Sequence, residues 1–286
     1  MNKNYGLFPF TVGTLFCFTT VGGIKFPEYS SLQNIARAVE EKTFTQSKQT
    51  QKQAKSQITQ NTERKILIVL TNHDRLGSTG RKTGFYLDEV AHPYAVFTQA
   101  GFKVDFVSPT GEKAPIDPKS YNLEDSLNRQ FIENEAVMAQ VKDTLSPQEI
   151  DPSDYNAVFY AGGHGVMWDL PNNQELARIT AAIYEGDGIV GAVCHGPAGL
   201  VNVRLSNGTY LVNGKTLAAF TNEEEEAVEL TDQMPFLLES KLIERNVQHT
   251  EAPNFQSHVV VSDRLVTGQN PASATKTAKA IVELLQ

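Results

Sequence analysis

Between residues 64 and 286, short and nearly unbroken apolar runs alternate with stretches whose apolar positions recur at helical spacing. The runs at 65–71, 155–160 and 189–193 lack polar alternation, as strands covered on both faces do, whereas 102–108 alternates and is closed by Pro109. Helical patterns cover 84–100, ending at Gly101, and 173–184, with a shorter stretch at 131–141. Valines 259–261 and residues 265–267 flank Ser262, Asp263 and Arg264 as a hairpin. Asn270 then caps a last helix with Pro271 in its first turn. Strands alternating with helices predict an α/β fold with a mostly parallel sheet, helices on both faces, and a ligand site at the carboxyl ends of the strands.

Two strand ends carry candidate chemistry. The run at 189–193 stops at Cys194, and His195, Gly196 and Pro197 force a sharp strand-to-helix turn. A thiol on such an elbow meets the unpaired N–H groups of the next helix, which favour thiolate, so Cys194 reads as a nucleophile. Gly162, Gly163 and His164 end another strand; their amides, with that of His195, form a candidate oxyanion hole, and Trp168 is a candidate pocket wall. Residues 111–154, rich in Pro, Asp and Asn, read as a small insertion packed over the site.

Composition narrows the function. The chain has 286 residues, 40% hydrophobic, and a formal net charge of −8, which argues against nucleic acid or anionic lipid as partner. Cys17 and Cys194 are its two cysteines and form no disulfide framework. The six histidines, His73, His92, His164, His195, His249 and His258, show no metal-ligand spacing, and no metal is expected. No residue between Lys3 and Lys25 is charged, so residues 1–24 read as a signal peptide or membrane anchor, with export or membrane tethering expected and a cytoplasmic extension as the alternative. Residues 47–63 hold almost nothing apolar, and 25–63 read as a disordered linker to a domain spanning 64–286.

Five motifs in order resemble the ThiJ/PfpI superfamily: residues 83–93 with Glu89, His92 and Pro93; 161–171 with Gly162, Gly163 and His164; 192–198 with Cys194 and His195; Phe220 and Thr221 followed by four glutamates; and 265–273. The similarity is greatest to the branch of heat-shock chaperones and glutathione-independent glyoxalases (glyoxalase III). It implies a flavodoxin-like doubly wound fold, and it makes His195 the triad histidine and Glu89 the carboxyl pointing at the sulfur. Counting from Phe220 and Thr221, Glu225 orients His195, with Glu224 the alternative; the other glutamates of the run read as the solvated first turn of a helix running toward Asn246. The implied activity is glyoxalase III lyase chemistry on methylglyoxal or glyoxal, without a cofactor, in a homodimer. A holdase or redox-sensing stress protein is the alternative from another class. Cysteine peptidase, deglycase and glutamine amidotransferase activities rank lower.

Overall fold

The apolar runs assemble into one six-stranded sheet, built from β1 (Lys65–Val69), β2 (Lys103–Val107), β3 (Ala157–Tyr160), β4 (Ile189–Val193), β7 (Val259–Ser262) and β8 (Leu265–Gly268). The computed structural model describes residues 64–286. The expectations for a signal or anchor at 1–24 and a linker at 25–63 lie outside them. Strand order is β2-β1-β3-β4-β8-β7, all parallel except the antiparallel β7–β8 pair at one edge. This is the mostly parallel α/β sheet expected. A separate pair, β5 (Thr216–Leu217) and β6 (Gln248–His249), is parallel.

Both faces of the sheet are covered, which explains the unbroken apolar runs. In β1, Ile66 and Ile68 belong to one core with Phe97 of α1 (Asp88–Gln99) and Ile281 of α8 (Ala274–Leu285). Leu67 and Val69 belong to the opposite core, with Leu176 and Ile179 of α5 (Gln174–Glu185). Each large side chain so buried contributes about 1.5–3 kcal/mol, which overrides the weak helix or strand propensities of the individual residues.

Three expectations change in the structure. Helix α1 begins at Asp88, not Gly84, because Phe85 is extended: its N–H and C=O pair with Pro115 and Asp117, and the Ser120 hydroxyl accepts the Leu87 N–H. The 111–154 insertion carries two short helices, α2 (Ser126–Glu133) and α3 (Glu135–Lys142), separated by Asn134, whose side chain caps the second. It braces α1 and the β2 edge: Asn128 donates to Asp88, and Phe131 packs on Tyr94 and Phe106. The glutamate run forms only α6 (Asn222–Ala227), and a separate α7 (Leu238–Glu244) follows, so no continuous helix runs toward Asn246. Among the described residues no helix is long and apolar enough to cross a membrane.

Register brings the chemistry together. Tyr160 at the end of β3 pairs with Ala192, and Val193 at the end of β4 pairs with Gly268. The Gly162 loop, Cys194 and the segment after β8 therefore emerge side by side at one edge, as parallel sheets place their ligand sites.

Candidate active site

Cys194 sits on a strained elbow. Its φ is +58°, in the left-handed region that non-glycine residues rarely adopt, and its backbone is pinned on both sides: its N–H donates to Gly268 at 2.9 Å and its C=O accepts from Phe220 at 3.0 Å. The chain then enters a five-residue 3₁₀ turn, Gly196–Leu200. A Cβ on Gly196 would come within 2.3 Å of the Tyr160 carbonyl, so only glycine lets the turn pack against β3.

The sulfur lies against an imidazole. Sγ is 3.3 Å from Nδ1 of His195, whose Nε2 is 2.7 Å from Oε2 of Glu225. The side chain of His195 is fully buried and that of Glu225 is 5% exposed. Glu225 is held well below the usual carboxylate range by the two histidines that donate to it, despite burial that opposes its charge. An ionised Glu225 fixes the tautomer: Nε2 of His195 donates, leaving Nδ1 to accept from the thiol. Phe220 lies over the same imidazole, ring centroids 4.4 Å apart.

Glu89, in the first turn of α1, is completely buried beside the Cys194 thiol. Its Oε2 accepts the Gly162 N–H at 2.8 Å, and its Oε1 is buried with no hydrogen-bond partner. Burial pushes this carboxyl well above its ordinary value, and the thiol and the Gly162 amide only partly oppose that. Burial likewise pushes the Cys194 thiol up, with the carboxylates of Glu89 and Glu224 adding and the Gly163 N–H opposing.

Burial works against the thiolate that the elbow favours. Cys194 is 3% exposed, and the turn after it is too short to supply a helix dipole. Two negative charges in such a dry position repel strongly, so thiol and carboxyl hold at least one proton between them.

The remaining candidates occupy partly different positions from those expected. Gly162 and Gly163 do reach the site, and the Gly162 N–H is taken by Glu89, because a buried carboxyl needs a donor of its own. His164 donates from Nε2 to Oε1 of Glu225 at 3.0 Å, with its ring 4.3 Å from that of His195. It is a second anchor for the acid. Trp168, in α4 (Val166–Asp169), stacks on His73 with centroids 4.8 Å apart.

Of the two glutamates in question, Glu225 is the partner of His195. Glu224 is also buried, contrary to a solvated run, and does other work: its Oε2 accepts the Thr221 N–H in a capping box, and its Oε1 accepts from the Phe255 N–H and the Asn270 amide.

Two groups escaped sequence reasoning. Asp169 accepts from the Thr71 hydroxyl and the Asn72 and His73 amides, tying the end of β1 to α4, and burial lifts it to about 6. Tyr86, three residues before Glu89, is pushed up to about 12 by burial and by carboxylates that include Asp88 and Glu89. Both lie inside the quoted motifs, yet nothing in their spacing marks them as perturbed.

A parallel α/β sheet with a buried Cys–His–Glu set on a strand-end elbow defines a class of cysteine-centred α/β proteins. Comparison narrows it. The DJ-1/PfpI family model matches residues 82–284, and the chain belongs to that family. It is 34% identical over 230 residues to Glyoxalase 3 of Candida albicans, covering 76% of this chain and 97% of that protein. It is also 34% identical over 248 residues to the glutathione-independent glyoxalase HSP31 of Saccharomyces cerevisiae, covering 78% and 98%. Among solved structures, glyoxalase III from Candida albicans is similar with a TM-score of 0.72 at 31% identity, covering 78% of this chain and 98% of that one. The Rapid Encystment Protein of Francisella tularensis gives 0.76 at 39%, covering 78% and 99%.

Proposed function

We propose that the protein is a glutathione-independent glyoxalase, a lyase of the glyoxalase III type that converts methylglyoxal or glyoxal to lactate or glycolate. The observation that carries this reading is the position of Cys194 between two bases of different kind: the His195 imidazole at 3.3 Å, and a buried carboxyl, Glu89, whose basicity is raised. The relatives named as glyoxalases support the same chemistry.

The steps follow from the geometry. His195 takes the thiol proton through Nδ1 as the sulfur adds to the aldehyde carbon, and the proton passes to the new alkoxide, giving a hemithioacetal. Glu89, as carboxylate, removes the proton from C1 to give an enediolate and returns it to C2, while the hydroxyl proton on O1 passes to O2, leaving a thioester. A carboxyl raised by burial is a better base near neutral pH than an ordinary one. Water then hydrolyses the thioester, so methylglyoxal plus water gives lactate and the free thiol. The protein's own sulfur takes the place of glutathione, and no step calls for a cofactor.

Burial favours this reading over peptidase activity. With Cys194 3% exposed and His195 fully buried, the site suits a small aldehyde better than a polypeptide backbone. The same proposal keeps the protein as a homodimer, and residues 1–24 as an export signal or membrane tether; gel filtration and N-terminal sequencing of the mature protein test these two points.

The decisive experiment is the full chain mixed with methylglyoxal in the absence of glutathione, with lactate assayed on a chiral column. Turnover by wild type and none by Cys194→Ser supports the proposal. No lactate from wild type, or equal lactate from Cys194→Ser, overturns it.

A further inference from the structure

Three side chains from α7, β6 and the segment just after it converge. Glu239 lies in the first turn of α7, His249 ends β6, and Glu251 follows two residues later. One ligand atom from each falls within 4.8 Å of the others. The imidazole is the informative member. The His249 side chain is 6% exposed, yet neither ring nitrogen has a hydrogen bond: Nδ1 is 3.7 Å from Oε2 of Glu251, and Nε2 is buried without a partner. Nδ1, the nitrogen nearest Glu251, thus has no hydrogen-bond partner of its own.

The spacing says what kind of partner. At 3.7 Å the nitrogen and the carboxylate oxygen are too far apart for a hydrogen bond. Two ligands on one tetrahedral ion, each at about 2.0–2.1 Å from it, stand roughly 3.4 Å apart, so a small closing movement places both on a metal. Glu239 completes the set: one of its oxygens, Oε2, accepts the Asn222 N–H at 2.7 Å, an outer contact that orients the carboxylate, and the second oxygen remains to coordinate.

We propose that Glu239, His249 and Glu251 bind a divalent cation of the zinc class, one nitrogen and two carboxylates leaving a fourth position for water. Imidazole in the set selects zinc-like ions over calcium and magnesium, which prefer oxygen alone. The ion joins α7 to β6. Through Glu239 and Asn222 it also steadies the start of α6, the helix that carries Glu225. Its role is structural, and it stands apart from the reaction at Cys194.

The test uses the full chain stripped with chelator and titrated with ZnCl₂ by calorimetry, with thermal melting in parallel. One equivalent binds and raises Tm, and CaCl₂ or MgCl₂ at the same concentration does not replace it. His249→Ala and Glu251→Gln each weaken that equivalent at least about tenfold while methylglyoxal turnover stays at the wild-type value. Glu251 is half exposed, so its variant separates lost binding from misfolding. His164, His195 and Glu225 form the competing cluster, although Glu225 already takes up the histidine nitrogens. The proposal falls if no zinc binds, if the first equivalent survives both substitutions, or if it is lost in Glu225→Gln and kept in His249→Ala.

Discussion

Oε2 of Glu225 stands 2.7 Å from Nε2 of His195, which in turn presents Nδ1 to the sulfur of Cys194. The carboxylate touches no substrate. It acts by holding the imidazole in the tautomer that accepts a thiol proton.

Glu225→Gln therefore removes that control, because an amide is free to offer its oxygen or its NH₂ to the ring. We expect kcat for lactate formation to fall by about 10²–10⁴, by analogy with acid-to-amide changes in other triads, with KM much less affected. Steady-state kinetics with methylglyoxal checks this. A loss confined to KM argues against the positioning role.

Stability at low pH reports on the same residue. The folded-state pKa of Glu225 is depressed, so its stabilisation is present above the unfolded value of about 4.3 and disappears as pH falls below it. Urea unfolding of wild type between pH 6 and 3 is expected to show this loss, and Glu225→Gln to show a shallower one. Parallel curves would mean that the histidine pairs contribute nothing.

Glu89 has the opposite sign. Its folded pKa is raised, so its contribution is fully present below the unfolded value and is lost as pH rises through the folded one. Glu89→Gln keeps an oxygen for the Gly162 N–H and removes the buried charge. Turnover is expected to vanish while Tm at pH 8 rises above wild type, the difference closing near pH 4. A Tm below wild type at pH 8 contradicts a destabilising buried carboxylate.

Glu224 is the control for its neighbour. Removing its three contacts in Glu224→Ala takes away one half of the α6 capping box and the acceptor that the Phe255 N–H and the buried Asn270 amide share. A cost of about 3 kcal/mol in chemical denaturation is expected. The residual activity per folded molecule should exceed that of Glu225→Gln, and the reverse order would exchange the roles of the two glutamates.

Asp169 offers a pH test remote from the sulfur. Its pKa is lifted to about 6, so its contribution is fully present below the unfolded value of about 3.9 and is lost as pH rises to about 6. Asp169→Asn should flatten the decline in unfolding free energy between about pH 4 and 6. An unchanged slope shows that the carboxyl is better solvated than its surroundings indicate.

Much of this was readable along the chain. Continuous apolar runs at 65–69 and 189–193 can be stable only between two layers of helix, so they announce a parallel sheet and place Cys194 at a strand end. Local chemistry of that kind depends on a few adjacent residues. Other features depend on residues far apart. Phe85 looks helical by periodicity but is extended because Pro115 and Asp117 hydrogen-bond its backbone, an arrangement invisible to spacing. Four successive glutamates look alike in a line, and burial alone separates Glu224 and Glu225 from Glu223 and Glu226.

The ionisation of the site is the plainest case. A cysteine at a turn can be named from its neighbours, but its proton affinity depends on how much water and which charges surround it. Those are set by α1, the Gly162 loop and α6 folding around it, elements more than 100 residues apart at the extremes. Hydrophobic pattern acts locally through the period of the backbone, whereas electrostatics sums over whatever the fold brings near. For that reason the sheet and the sulfur were legible in the one-dimensional string, and the shared proton, the double histidine anchor on Glu225 and the unpaired ring of His249 emerged only from the packed three-dimensional arrangement.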